Sequence, residues 1–127
     1  MTTTATKISA IANVTVQVPD HEKAIAFYTD TLGFETRRDA QYGPGLRWVE
    51  VAPAGSSTVI ALASPRQDFH PADTGIRLTT PDAEAAHAAL REQGVDVDED
   101  LLRIPNVPPM FSFRDPHGNT LYIVEGA

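Results

Sequence analysis

The sequence contains no cysteine. Disulfides, thiolate metal sites and cysteine nucleophiles are therefore excluded at once. Basic residues are scarce, with 10 Lys and Arg against 17 Asp and Glu and a net charge of −7. Nucleic-acid binders usually carry a basic face, so a nucleic-acid partner is not expected. Long apolar runs are missing as well: none approaches the ~18 residues that a membrane span needs, and no membrane partner is expected. The segment Met1–Lys7 is Thr-rich and lacks the apolar stretch of a secretory signal, so it reads as a frayed tail on a cytoplasmic protein. The acidic balance serves solubility and would steer cationic ligands modestly.

What is present is ordinary for a globular chain: 127 residues, 42% hydrophobic and 21% charged. That length suits one compact domain or two small modules sharing a core. The most informative pattern is an internal repeat. Pro19-Asp20-His21-Glu22-Lys23-Ala24-Ile25-Ala26 recurs as Pro81-Asp82-Ala83-Glu84-Ala85-Ala86-His87-Ala88, with Pro, Asp, Glu and two Ala matching at an offset of 62. Gly33 and Gly94 then match at an offset of 61.

Each copy reads as a strand, a helix and further strands. Val14, Val16 and Val18 alternate with Asn13, Thr15 and Gln17, the period of a half-buried strand. Asp20 caps a helix running to about Thr31, with Ala24, Ile25, Phe27, Tyr28 and Leu32 on its apolar face and Gly33 as its left-handed stop. Residues 34–38, 46–52 and 58–63 read as strands. In the second copy the strand is 75–80, and the helix runs from Asp82 to about Gln93 with Gly94 as its stop. Further strands are expected over 95–98, 109–114 and 120–125. Residues 64–74 read as a connection, 101–108 as a loop, and Asp115-Pro116-His117-Gly118-Asn119 as a dense turn. His117 is expected to be an exposed turn residue. The division is a tail over 1–7, a first module over 8–64, a linker over 65–73 and a second module over 74–127.

Two motifs carry a family resemblance. One is Val18-Pro19-Asp20 leading into Ala26-Phe27-Tyr28 and Thr31-Leu32-Gly33-Phe34. The other is Phe113-Arg114-Asp115-Pro116-His117-Gly118-Asn119 with Leu121-Tyr122-Ile123-Val124-Glu125. Both resemble the vicinal oxygen chelate superfamily of glyoxalase, bleomycin-resistance and extradiol-dioxygenase proteins. The resemblance implies an α+β fold of two βαβββ modules, forming a cupped, antiparallel-rich sheet with helices on its convex side. It also implies pairing of modules into a cup, within a chain or across a homodimer, and a homodimer is expected.

Metal-dependent relatives aim four side chains at one ion. The matching positions here are Asn13, Ala61, Gly75 and Tyr122. Ala61 and Gly75 have no ligating group, Asn13 is a weak neutral ligand, and Tyr122 would have to ionise from about 10. Transition-metal sites want imidazole or carboxylate donors. The four His residues, His21, His70, His87 and His117, show no convergent spacing. No metal and no cofactor are expected.

Strand alternation then defines a cleft lining. It comprises Asn13, Thr15 and Gln17; Trp48 and Glu50; Val59, Ala61 and Ala63; Gly75, Arg77 and Thr79; Met110, Ser112 and Arg114; and Thr120 and Tyr122. In the third strand Arg47 could exchange roles with Trp48. Trp48 and Tyr122 could stack on a planar ligand, with Trp48 as a plain core residue the alternative. Arg77 either holds an anionic group or pairs with Glu50 across the cup. The reading is a metal-independent protein that sequesters a small organic ligand, as the bleomycin-resistance branch does. The alternative is an enzyme of the superfamily (a lyase, isomerase or dioxygenase-like protein) with Glu50 or Tyr122 as acid or base. No nucleophile–base pair stands out, so no catalytic residue is assigned.

Overall fold

The computed structural model describes residues 6–126, so residues 1–5 of the expected tail and Ala127 lie outside the described range. The chain runs β1 (Asn13–Gln17), α1 (His21–Ala26), a π turn (Phe27–Thr31), β2 (Glu35–Gly43), β3 (Leu46–Ala52) and β4 (Val59–Ala63). It then repeats with β5 (Asp73–Thr80), α2 (Ala83–Glu92), β6 (Asp96–Val97), β7 (Leu102–Ile104), β8 (Val107–Arg114) and β9 (Thr120–Glu125). This is an α+β fold of two βαβββ-type repeats. One open sheet has the order β1-β4-β3-β2, the other β5-β9-β8-β6 with β7 beside β8. In each, the first strand lies parallel to the last and the rest of the ladder is antiparallel. No helix among the described residues is long and apolar enough to cross a membrane.

The repeat is visible in the caps. Asp20 accepts the Lys23 N–H at 3.1 Å, and Asp82 accepts the Ala85 N–H at 3.0 Å. Both caps have extended backbone, as an N-cap requires. Gly33 at φ +77 and Gly94 at φ +83 supply the left-handed stops.

Three expectations need correction. The first helix does not continue as α to Thr31: from Phe27 it widens into a π turn, closed by the Leu32 N–H on the Phe27 carbonyl at 3.1 Å. The wider turn accompanies burial of two adjacent aromatics, Phe27 and Tyr28, which sit 100° apart on an ordinary helix. The first hairpin is longer than expected, because β2 runs through to Gly43 and leaves only Pro44-Gly45 in the turn. Residues 101–108 are not a loop. Ile104 faces Val107 across Pro105-Asn106, with Asn106 at φ 66. Proline followed by a left-handed Asn is the chemistry of a type II turn, so the segment closes a hairpin.

The core is shared between the repeats. Val16, Val49 and Leu62 from the first sheet, Phe111, Phe113 and Leu121 from the second, and Phe27, Tyr28 and Leu90 from the helical segments form one buried cluster. Each such side chain contributes roughly 1.5–3 kcal/mol on full burial. Phe27 and Phe113 meet with ring centroids 6.2 Å apart.

The polar seam between the repeats centres on Asp115. Its Oδ1 accepts the N–H groups of His117 and Asn119 at 2.9 and 3.0 Å. Its Oδ2 accepts the Asn119 side-chain amide at 3.1 Å and the Tyr28 hydroxyl at 3.0 Å. Asn119 also donates to the Gln17 carbonyl at 3.0 Å, and His117 Nε2 lies 3.1 Å from the Asp20 carbonyl. Burial first, then the charge and hydrogen bond of Asp115, push the Tyr28 phenol well above its ordinary range, which keeps it a donor. Tyr28→Phe leaves Asp115 one donor short in a buried site, and should lower stability by about 1–3 kcal/mol. Urea denaturation checks this, and an unchanged midpoint would remove the contact from the account of how the repeats are joined.

Candidate functional site

Which face of the first sheet is free follows from the contacts of Arg47. Its guanidinium pairs with Asp39 at 2.7 Å and with Glu22 of α1, so Arg47 lies on the helix side. Trp48 is therefore on the opposite, concave face, which resolves the parity left open by alternation alone.

Register places the first set of candidates in rows on that face. Gln17, Ala63, Trp48 and Ala40 form one row, and Thr15, Ala61, Glu50 and Arg38 the next. Asn13 follows, opposite Val59. A depression of about 480 Å³ opens here, lined by Asn13, Arg38, Ala40, Tyr42, Trp48, Glu50 and Arg66. The Trp48 indole N–H donates to Glu50 Oε2 at 2.9 Å, which fixes both side chains. Trp48 is half-buried, so it is not a plain core residue. Ala61 is fully buried, and neither it nor Gln17 lines the depression.

The second sheet holds the remaining candidates. Arg77, Tyr122 and Ser112 share a row; Thr79, Val124 and Met110 share another; Thr120 pairs with Arg114. The Arg77 guanidinium stacks on the Tyr122 ring, 4.7 Å from its centroid, and donates to the Gly75 carbonyl at 3.0 Å. The Tyr122 hydroxyl donates to Asp73 at 2.7 Å, and that bond leads the causes that raise its pKa. Ser112 N–H and Oγ donate to Asp98 at 2.8 Å, and Arg114 to the same carboxylate at 3.0 Å. Burial pushes the Asp98 carboxyl up, but the bonds from Ser112 and Arg114 outweigh it and hold the group below its usual range. Gly75 sits at φ +69 in the register shift between β5 and β9, on a separate apolar groove of about 940 Å³ between the sheets.

The chain thus brings Asn13, Trp48 and Glu50 together, and separately Arg77, Tyr122, Ser112, Arg114 and Met110. It does not join the two sets: among the described residues no strand of one sheet pairs with the other. Glu50 bonds Trp48 and Arg77 bonds the Gly75 carbonyl, so the Arg77–Glu50 pair does not form within the chain. Sequence reasoning missed Arg38, Ala40, Tyr42, Arg66, Asp73 and Asp98. Extending the alternation of β2 by four residues would have found Ala40 and Tyr42; Arg66 lies beyond β4, where periodicity has no hold.

The superfamily's metal positions do not fit an ion here. Ala61 and Gly75 carry no ligating atom, Asn13 offers only a neutral amide, and the Tyr122 hydroxyl is spent on Asp73. Among the described residues no three His, Asp or Glu side chains converge. His21 and His87 are buried against the carbonyls of Leu62 and Asp98, and His70 is exposed between the sheets.

Comparison with known proteins agrees with the fold. The family model described as the glyoxalase/bleomycin resistance protein/dioxygenase superfamily matches residues 10–123. A superfamily member from Sphaerobacter thermophilus is 36% identical in sequence, with a TM-score of 0.85 over 94% of this chain and 98% of that one. TnmS3, an antibiotic binding protein from a Streptomyces species, is 34% identical, with a TM-score of 0.82 over 97% of this chain and 100% of that one. The uncharacterized protein YetH of Bacillus subtilis is 29% identical over 123 residues, which span 93% of this chain and 99% of that protein. The cap-marked repeat, the paired motifs at Tyr28 and Asp115, and the family match over 10–123 identify the chain as a member of the glyoxalase/bleomycin resistance protein/dioxygenase superfamily.

Proposed function

We propose that this protein is a metal-independent binding protein that sequesters a small organic ligand without transforming it. The observation that carries the reading is the composition of the concave faces. Around Asn13, Ala61, Gly75 and Tyr122, where metal-dependent relatives aim imidazoles and carboxylates, the faces carry aromatic rings, arginines, amides and hydroxyls, with Glu50 and Asp73 bonded to Trp48 and Tyr122. A partly apolar pocket with a few placed polar groups is the usual form of an organic-ligand site. The antibiotic-binding relative at 34% identity supports the same direction. An enzymatic reading gains less support. Glu50 is held by the Trp48 indole, and the Tyr122 hydroxyl keeps its proton on Asp73, which makes it less available as either acid or base.

The reading includes a homodimer. The modules 8–64 and 74–127 each supply half a cup, and a second copy would bring the Trp48 half of one chain to the Tyr122 half of the other. The outer edges of β1 and β5 have no strand partner among the described residues, and such edges are usually covered. Apolar side chains are exposed along the β7–β8 hairpin at Leu102, Ile104 and Val107, and on the β2–β3 hairpin at Tyr42 and Leu46. A cytoplasmic setting suits the cysteine-free sequence.

Two measurements test the reading. Light scattering at micromolar concentration should give about twice the 13.7 kDa chain mass, and a monomer would contradict the shared cup. A thermal-shift screen of aromatic metabolites and antibiotics should yield saturable stabilisation without turnover, of about 2.7 kcal/mol at a hundredfold excess over Kd. Arg77→Ala and Tyr122→Phe should weaken that binding. Turnover of the hit, or stabilisation indifferent to both substitutions, would contradict the site.

A further inference from the structure

We propose that the depression around Trp48 is built for a planar aromatic anion: a fused-ring compound carrying a carboxylate, phenolate or enolate. This names the ligand class of the cup and rests on the binding reading above.

The argument begins with the arginines. Arg37, Arg47, Arg103 and Arg114 are paired with carboxylates. Arg38, Arg66, Arg77 and Arg91 have no carboxylate partner among the described residues. In a protein of net charge −7 carboxylates are plentiful, so an unmatched arginine is informative about its place. Arg91 is in α2. The other three are on the concave faces, and two of them, Arg38 and Arg66, line the same depression.

Local geometry keeps them unmatched. Glu50 is the Cα partner of Arg38 across the β2–β3 ladder, the place for an ion pair. Yet its carboxylate accepts the Trp48 indole N–H at 2.9 Å, and no Arg38–Glu50 bridge forms. The lining thus holds two guanidinium groups against the one carboxylate of Glu50, a net positive charge that an anionic ligand would neutralise. Guanidinium offers paired N–H donors matched to a carboxylate and also stacks on flat rings.

The rest of the lining fits the flat part of such a ligand. Trp48 and Tyr42 supply aromatic faces, Ala40 leaves space beside them, and about 480 Å³ lies within the range of small-molecule sites. On the other sheet the Arg77 guanidinium already stacks on an aromatic ring, that of Tyr122, at 4.7 Å. The overall acidity had suggested cationic ligands, but a protein's net charge acts at long range while the unmatched arginines act at contact. Short-range charge-assisted bonds decide the occupant.

The test uses the chain's single tryptophan, Trp48, as its reporter. Quenching of its fluorescence is titrated with anthraquinone-2-carboxylate, 2-(hydroxymethyl)anthraquinone and 2-(aminomethyl)anthraquinone, which share one ring system and carry an anionic, a neutral and a cationic substituent at the same position. The carboxylate should bind at least about tenfold more tightly than the neutral probe, and the amine most weakly. Arg38→Gln and Arg66→Gln should each remove most of that preference, while Arg91→Gln leaves it intact. Neither the Arg38 nor the Arg66 guanidinium makes a hydrogen bond among the described residues, so these variants should fold; matched thermal melts verify it. Equal binding of neutral and anionic probes, a preference for the amine, or a preference that survives both substitutions would overturn the anionic class while leaving the cup in place. No quenching by any of the three would overturn the ligand class, and saturable stabilisation by another compound in the thermal-shift screen would leave the cup standing.

Discussion

A buried carboxylate must be satisfied by hydrogen bonds or by a cation, and Asp115 is satisfied by hydrogen bonds alone. Three of its donors come from its own turn, through His117 and Asn119, and the fourth is the Tyr28 hydroxyl of the other repeat. That arrangement fixes two things at once. It closes the turn before the last strand, and it docks that turn onto the π segment after the first helix. An unmet acceptor there would cost more than most single contacts contribute, so the position of one repeat against the other depends on it.

The consequence for function is directional. Because Phe27 and Tyr28 pack against Phe113 and the Asp115 turn, the repeats share a core on their helix side. Their concave faces are left free and unjoined. Trp48 and Glu50 lie on one, Arg77 and Tyr122 on the other, and β1 and β5 present open edges. In the proposed reading these two faces are halves of one site. The proposed homodimer would complete the cup without disturbing that seam.

The sequence made the repeat, the caps and the two motifs legible because each depends on local chemistry: Asp20 and Asp82 on helix N–H groups, Gly33 and Gly94 on left-handed backbone. The motifs lie far apart in the chain, and nothing in either says that they touch through Tyr28 and Asp115. The π turn was not legible, since its driving force is the tertiary burial of two neighbouring rings. The β7–β8 hairpin was hidden by its prolines, although Pro105-Asn106 is turn chemistry. Alternation put Trp48 and Glu50 on one face. It could not separate Arg47 from Trp48, which required the Glu22 contact, and it could not find Arg66 outside any strand. Nor could it show that the lining divides between two sheets, because that depends on how the modules dock.

The central claim is that one ligand site draws Trp48 from one chain and Tyr122 from another. Subunit mixing tests this most directly. Trp48→Ala and Tyr122→Ala proteins are purified separately, each shown to have lost the ligand found by thermal screening, then mixed under exchanging conditions and titrated by calorimetry. With shared cups, each mixed dimer contains one cup with both defects and one with neither, so high-affinity binding returns on mixing. With a site contained within one chain, every site keeps one defect, and mixing of exchanged subunits restores nothing.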